Sequence, residues 1–266
     1  MSTYILLFLL LIGIIIFRYI HTSIGDFRNY SMPISYSKHF NDYINSVDSS
    51  MYKIKLGLHD LKNKTFKYHY LDSLDTPLTK YQNILNTYTN RCDSFLSDYP
   101  IFKKYSWKFL ISKNDLELGM PFTIDDTIII PEDIINNVYI NYIRNPVLSN
   151  VFLNTLIHEQ IHIVQRYNQA KFNAHYIVEY PFIKRIHRKR LMPHYSRIHM
   201  NNPDSNNQLW IYRIKNKNYV TFLKYDNGSL ISVGGGLDKN EIISLDSLRT
   251  RYGFKRDTSL YHPNEI

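Results

Sequence analysis

His158-Glu159-Gln160-Ile161-His162 is the segment of this 266-residue chain whose residue types and spacing are best suited to chemistry. It has the form H-E-x-x-H and lies in a stretch that reads as helix. Residues i and i+4 of a helix lie on one face, one turn apart. Two imidazoles so placed can bind one metal ion, and Glu159 beside them can manage the proton of a water held there. This is the donor set of zinc-assisted hydrolysis.

The surrounding sequence supports a helix. Asn145-Pro146 offers an N-cap followed by proline at the first helical position. Leu148, Val151, Phe152, Thr155, Leu156, Ile161 and Val164 recur at helical spacing, and no Gly or Pro interrupts 147–167. Two histidines do not complete a catalytic zinc shell, which takes three protein ligands and keeps a position for water. The motif does not continue as H-E-x-x-H-x-x-G-x-x-H, because position 165 is Gln and position 168 is Asn. Downstream candidates for the third ligand are His175, Glu179 and Glu265. Asp204, in Asn202-Pro203-Asp204, is either a partner orienting a ligand histidine or a plain turn residue. Tyr212, Tyr261, His175 and His262 are candidates to stabilise an oxyanion, and nothing ranks them.

Before this helix, the pattern predicts a helix over 78–96. Leu78, Tyr81, Leu85, Tyr88, Cys92 and Phe95 repeat at spacings of three and four. Cys92, the single cysteine, lies on that apolar stripe and is expected to be buried and inert. One cysteine excludes an intrachain disulfide and a cysteine-built zinc site. Strands are expected over 106–112 and 127–131, and weakly over 53–58. A helix should follow from Pro131-Glu132-Asp133 to about Ile143, since proline and acids suit a first turn. Near the C-terminal end, 208–214, 219–224 and 229–233 read as three short strands. Asp226-Asn227-Gly228 is a hairpin turn, and Gly234-Gly235-Gly236 is a break ending the meander.

Residues 4–17 are apolar and run into Arg18, Tyr19 and Ile20. Seventeen residues of helix span roughly 25 Å, near the lower limit for a bilayer. Residues 1–3 carry no Lys or Arg and no small-residue cleavage site follows, so an uncleaved anchor is expected over 1–20, a linker over 21–36 and one domain over 37–266. Arg18 and Arg28 follow the apolar run, which favours a cytoplasmic domain. The net charge of +9 favours anionic surfaces. The strongest basic run, Lys184 to Arg190, suits anionic lipid, though a solvated basic helix face is the commoner outcome. No metal-finger spacing or RNA-binding aromatic signature is present, so no specific nucleic-acid partner is expected.

Four segments carry a resemblance: Pro121 to Ile130 (PFTIDDTIII), His158 to Arg166 (HEQIHIVQR), Asn202-Pro203-Asp204, and His262-Pro263-Asn264-Glu265. Over the span from about 118 to the C-terminus the chain resembles the glutamate-type zincins (gluzincins). More narrowly, it is similar to membrane-anchored metallopeptidase-like proteins of large DNA viruses and protists. The resemblance implies an α+β fold, with an N-terminal transmembrane helix followed by a zincin-like domain. That domain would hold an H-E-x-x-H active-site helix, an edge strand at 121–130 where a peptide substrate adds as an extra strand, and a small antiparallel β-meander. It implies a Zn2+ cofactor held by His158, His162 and Glu265, with Glu159 as general base. It further implies peptide or protein substrates and a bilayer contact through residues 4–20, in a host or virion membrane. In the family the glutamate ligand lies on a helix that continues past it, whereas this chain ends one residue after Glu265. A ligand on a terminus would be poorly held. The alternative expectation is therefore a catalytically inactive membrane-bound structural or virion component with the zincin fold.

Overall fold

The computed structural model describes residues 31–57, 65–113, 115–179, 182–187, 195, 202–205, 208–214, 217–226, 229–237 and 242–244. The architecture is mixed α+β. Four short helices come first: α1 (Ser31–Tyr36), α2 (Lys38–Ile44), α3 (Tyr52–Leu56) and α4 (Phe66–Asp72). Strand β1 (Leu74–Asp75) leads into the long helix α5 (Thr79–Phe95). Then follow β2 (Phe109–Ser112), β3 (Phe122–Ile124), β4 (Thr127–Pro131), α6 (Glu132–Arg144), α7 (Asn150–Tyr167) and α8 (Gln169–Glu179). Five strands complete the described elements: β5 (Phe182–His187), β6 (Gln208–Ile214), β7 (Lys217–Asp226), β8 (Ser229–Gly236) and β9 (Ile242–Ser244).

The first sheet has the order β1-β2-β4-β3. β2 and β4 are parallel, with Phe109 opposite Ile128 and Ile111 opposite Ile130, whereas β3 runs antiparallel to β4 on the edge. Side chains alternate across a strand, and here both faces are buried. Leu110, Phe122, Ile124 and Ile129 join the core formed with α1 to α4. Phe109, Ile111, Ile128 and Ile130 join the core formed with α5, α6 and α7. A sheet covered on both sides needs continuous apolar strands, which is why 127–131 reads Thr-Ile-Ile-Ile-Pro rather than alternating. The apolar stripe of α5 packs in this second core, and Cys92 on it is fully buried. Burial pushes the Cys92 thiol up to about 12, so it stays protonated and unreactive near neutral pH.

The second sheet, β5-β6-β7-β8-β9, is antiparallel throughout. It is wider than the three strands expected. Asp226 pairs with Ser229, so the β7–β8 connection has two residues, as the hairpin reading requires. The three glycines do not break the meander: they are the last residues of β8, facing Thr221, Val220 and Tyr219 on one side, with Ile243 and Ile242 pairing from β9. Gly235 and Gly236 are buried opposite the buried Val220 and Tyr219. Residues without side chains leave room for those neighbours. Lys184 to His187, expected on a helix face, lie in β5 and pair with Ile211 to Gln208 of β6; Arg188 to Arg190 lie outside the described residues.

Three further expectations change. Residues 53–57 of the strand expected over 53–58 do not form one, and Leu58 lies outside the described residues. Tyr52–Leu56 is one helical turn, closed by Gly57 at φ 60°, whose N–H donates to the carbonyls of Lys53 and Ile54. A Cβ on Gly57 would meet Asp115 Cβ at 1.9 Å. Gly57→Ala therefore combines left-handed backbone strain with a steric clash, and chemical denaturation should register a loss of about 1–3 kcal/mol. Residues 31–36, read as linker, form α1, and Ile34 is buried in the core. The strand expected over 106–112 is shorter, starting at Phe109. Residues 1–20 lie outside the described residues, and among the described residues no helix is long and apolar enough to cross a membrane.

A buried polar cluster ties the first core together. Glu117 accepts hydrogen bonds from Tyr43 Oη, from Tyr70 Oη at 3.0 Å and from Lys55 Nζ at 2.5 Å. Glu117 and Leu118 both hold left-handed backbone, at φ 51° and 64°. Such a conformation persists only where surrounding contacts over-determine it. Burial, reinforced by the Glu117 carboxylate, holds the Tyr70 hydroxyl well above its usual pKa, so it remains a donor.

Candidate metal centre

Helix α7 presents the motif. Its N-cap is Ser149, whose Oγ accepts from the Phe152 N–H at 3.4 Å, rather than Asn145. The Ser149 N–H donates to Tyr88 Oη at 2.8 Å, which pins the helix start to α5. Asn145-Pro146 instead belongs to the loop before it, Asn145 being the C-cap of α6; Ser149 caps α7 locally and Tyr88 adds a tertiary contact. Phe152, Leu153, Leu156 and Ile163 bury one face of α7 in the second core. Gln160 Nε2 donates to the Tyr105 carbonyl at 3.0 Å and fixes the helix roll.

His158, Glu159 and His162 lie next to one another on the helix by its own geometry. Their candidate ligand atoms lie within 4.8 Å of one another. The two Nε2 atoms are 2.9 Å apart and the rings meet edge-on at 84°. His158 is half-buried, whereas Glu159 and His162 are buried. Two nitrogens, each about 2.0–2.1 Å from a tetrahedral zinc, stand about 3.3 Å apart. A small ring rotation separates that from the observed spacing, so nitrogen donors with an adjacent carboxylate fit zinc chemically. His162 Nδ1 lies 3.3 Å from Gln165 Oε1, one turn further along.

The third ligand is not decided among the described residues. Glu265 lies outside them, as do Tyr261 and His262. His175 and Glu179 belong to α8 and Tyr212 to β6, but their side chains lie outside the described residues.

Asp204 is not a plain turn residue. It is buried in the 3-10 turn Pro203–Ser205, and its Oδ1 accepts from the Thr123 N–H at 2.8 Å and from Thr123 Oγ1. Arg166, one turn beyond His162, stands with Nη2 at 3.7 Å from Asp204 Oδ1. Nη2 donates to Thr123 Oγ1 at 2.7 Å and to the Thr123 carbonyl at 3.4 Å, and Nη1 donates to the Asp125 carbonyl. Burial lowers the Arg166 pKa, and the charges of Asp204 and Asp125 oppose that shift. Asp204 therefore touches neither motif histidine in the described contacts; it closes the sheet edge.

This closure bears on the substrate geometry that the resemblance implies. In β3, Phe122 and Ile124 are opposite Ile129 and Thr127. Alternation of hydrogen-bonded and open pairs turns the N–H and C=O of Thr123 outward. Those outward groups are taken by Asp204 and Arg166. The next outward position towards the N-terminus is Pro121, which has no N–H. Thr123 and Asp125 bind Arg166, and Pro121 lines a groove with Thr155. The motif lies between those two helix positions, so β3 runs alongside it with the outward groups of Thr123 occupied. An added strand cannot pair at Thr123 without displacing Asp204 and Arg166.

Arg166 and Gln165 went unassigned at the sequence level. Their signal was spacing: both lie three or four residues after His162, on the same side of the helix. The chain matches no known protein family, no curated protein and no solved structure.

Proposed function

We propose that this protein is a zinc-dependent peptidase, tethered to a membrane by residues 4–20, that hydrolyses peptide bonds at the His158–Glu159–His162 centre. The observation that carries the reading is the convergence of two imidazole nitrogens and a buried carboxylate within 4.8 Å on one helix face. His158 and His162 would hold the ion, with Glu265 as the third ligand on the strength of the resemblance. When bound, zinc supplies Lewis acidity that brings the pKa of water toward about 7 and polarises a carbonyl. Glu159 takes the proton of the attacking water and hands it to the leaving amine. Helical geometry keeps the carboxylate beside the imidazoles during that transfer. The tether rests on the apolar sequence of residues 4–17.

The occupied β3 edge favours a second reading, a zincin-like structural component of a membrane or virion that does not turn over peptides. Metal analysis and turnover separate the two. Purified full-length protein should carry about one zinc per chain by mass spectrometry, and His158→Ala should lose it. A folded protein with no zinc would overturn the metal reading. Zinc without hydrolysis across a peptide library would favour the structural one.

A further inference from the structure

We infer that Gln165 is a positioning residue for the metal centre, holding His162 in the tautomer that leaves its Nε2 bare toward His158 and Glu159. The inference rests on the zinc reading above for its consequence, but its geometry is independent of it. Gln165 lies three residues after His162, so their side chains share a helix face. Gln165 Oε1 is 3.3 Å from His162 Nδ1, and both residues are buried, at 5% and 1% exposure. With the amide oxygen turned toward the ring, as here, the contact is a hydrogen bond only when Nδ1 carries the proton, because a carbonyl oxygen accepts. A neutral imidazole with its proton on Nδ1 has its lone pair on Nε2. That lone pair lies 2.9 Å from His158 Nε2, inside the cluster with Glu159.

The opposite tautomer would put a proton on Nε2 where a ligand lone pair is needed, and would set Nδ1 lone pair against carbonyl lone pair. The role calls for an acceptor at position 165, and the uncharged amide adds no carboxylate to the site. Partners of this kind contribute about 10–100-fold to metal affinity.

The test uses purified full-length protein and zinc alone as the probe. Zinc dissociation constants are measured by chelator competition for the wild type, Gln165→Leu and Gln165→Glu. Nitrogen-15 NMR of the imidazoles in metal-free wild type reports the His162 tautomer. Expected are an Nδ1-protonated His162, a 10–100-fold weaker zinc affinity in Gln165→Leu, and recovery to near wild-type affinity in Gln165→Glu, which restores the acceptor. Equal affinities in wild type and Gln165→Leu, or an Nε2-protonated His162, overturn the inference. The tautomer is read in the wild type, so it decides even where Gln165→Leu does not fold. Absence of zinc from the wild type would sink the zinc reading and leave the tautomer result to decide the Gln165 inference.

Discussion

Glu159→Gln is expected to lower peptide hydrolysis by about 10²–10⁴-fold, the range general acid–base groups contribute, while zinc content stays at the wild-type level. Glutamine keeps the size and the hydrogen-bonding reach of glutamate but cannot accept a proton at neutral pH. Glu159 is buried on the same helix side as both histidines, so the loss should fall on kcat rather than on fold or metal. The check is a pair of measurements on one preparation: zinc per chain by mass spectrometry, and turnover of a peptide cleaved by the wild type. Hydrolysis that survives unchanged in Glu159→Gln would remove this residue from the mechanism. The result also separates a peptidase from a zinc-binding structural component, because the latter has no turnover to lose.

The second large effect is on stability. Asp204 and Arg166 are buried partners, each 6% exposed at the side chain, and together they satisfy the outward groups of Thr123. Asp204→Ala leaves a guanidinium buried without that carboxylate and a Thr123 N–H without its acceptor. Breaking such a pair from one side costs about 3–5 kcal/mol, on the order of 10 °C in melting temperature for a chain of this size. Arg166→Met breaks the same pair from the other side and should cost a similar amount, because Asp204 stays buried without its counter-charge and the Thr123 and Asp125 carbonyls lose their donor. The double variant should lose less than the sum of the two singles, since both disrupt one network. Thermal unfolding of the four proteins tests this, and additive losses would mean that the two residues act separately. A substrate that pairs with β3 at Thr123 would have to displace this network, so any peptide turnover should use another approach to the motif.

Much of the scaffold around the candidate site was legible in sequence, for reasons that differ between elements. Strand β4 was placed at its observed limits because a run of β-branched residues ended by proline admits few alternatives. Helix α5 is legible to within a residue or so from its apolar stripe, and α6 from the proline and first-turn acids at its start, all local signals. Strand β6 was likewise placed at its observed limits. The motif itself was legible because i and i+4 on a helix share a face in any fold.

Other features depended on contacts between distant segments. Residues 53–58 carry a weak alternation that suits a strand, yet the turn is helical because Gly57 closes it and Lys55 reaches Glu117, 62 residues away. α7 starts at Ser149 rather than Asn145 because α6 runs on until Asn145 caps its end, Ser149 Oγ caps α7, and Tyr88 binds the Ser149 N–H from another helix. Gly234 to Gly236 became strand because bulky residues of β7 lie opposite them and β9 pairs beyond them. Lys184 to His187 became strand by pairing with β6, about 25 residues on.

The sequence by itself determined that two imidazoles and a carboxylate lie on one helix face, because helical geometry fixes that relation over five residues. It also carries the unbroken apolar run 128–130, which a strand covered on both faces requires. The tertiary structure decided what surrounds the motif: Asp204 meets Thr123 from 81 positions away and Arg166 meets Thr123 across 43, closing the β3 edge. A contact of that separation leaves no periodic trace in the chain. It exists only once the sheet edge, the helix and the 3-10 turn have packed, and the cost of leaving buried polar groups unpaired selects the partners.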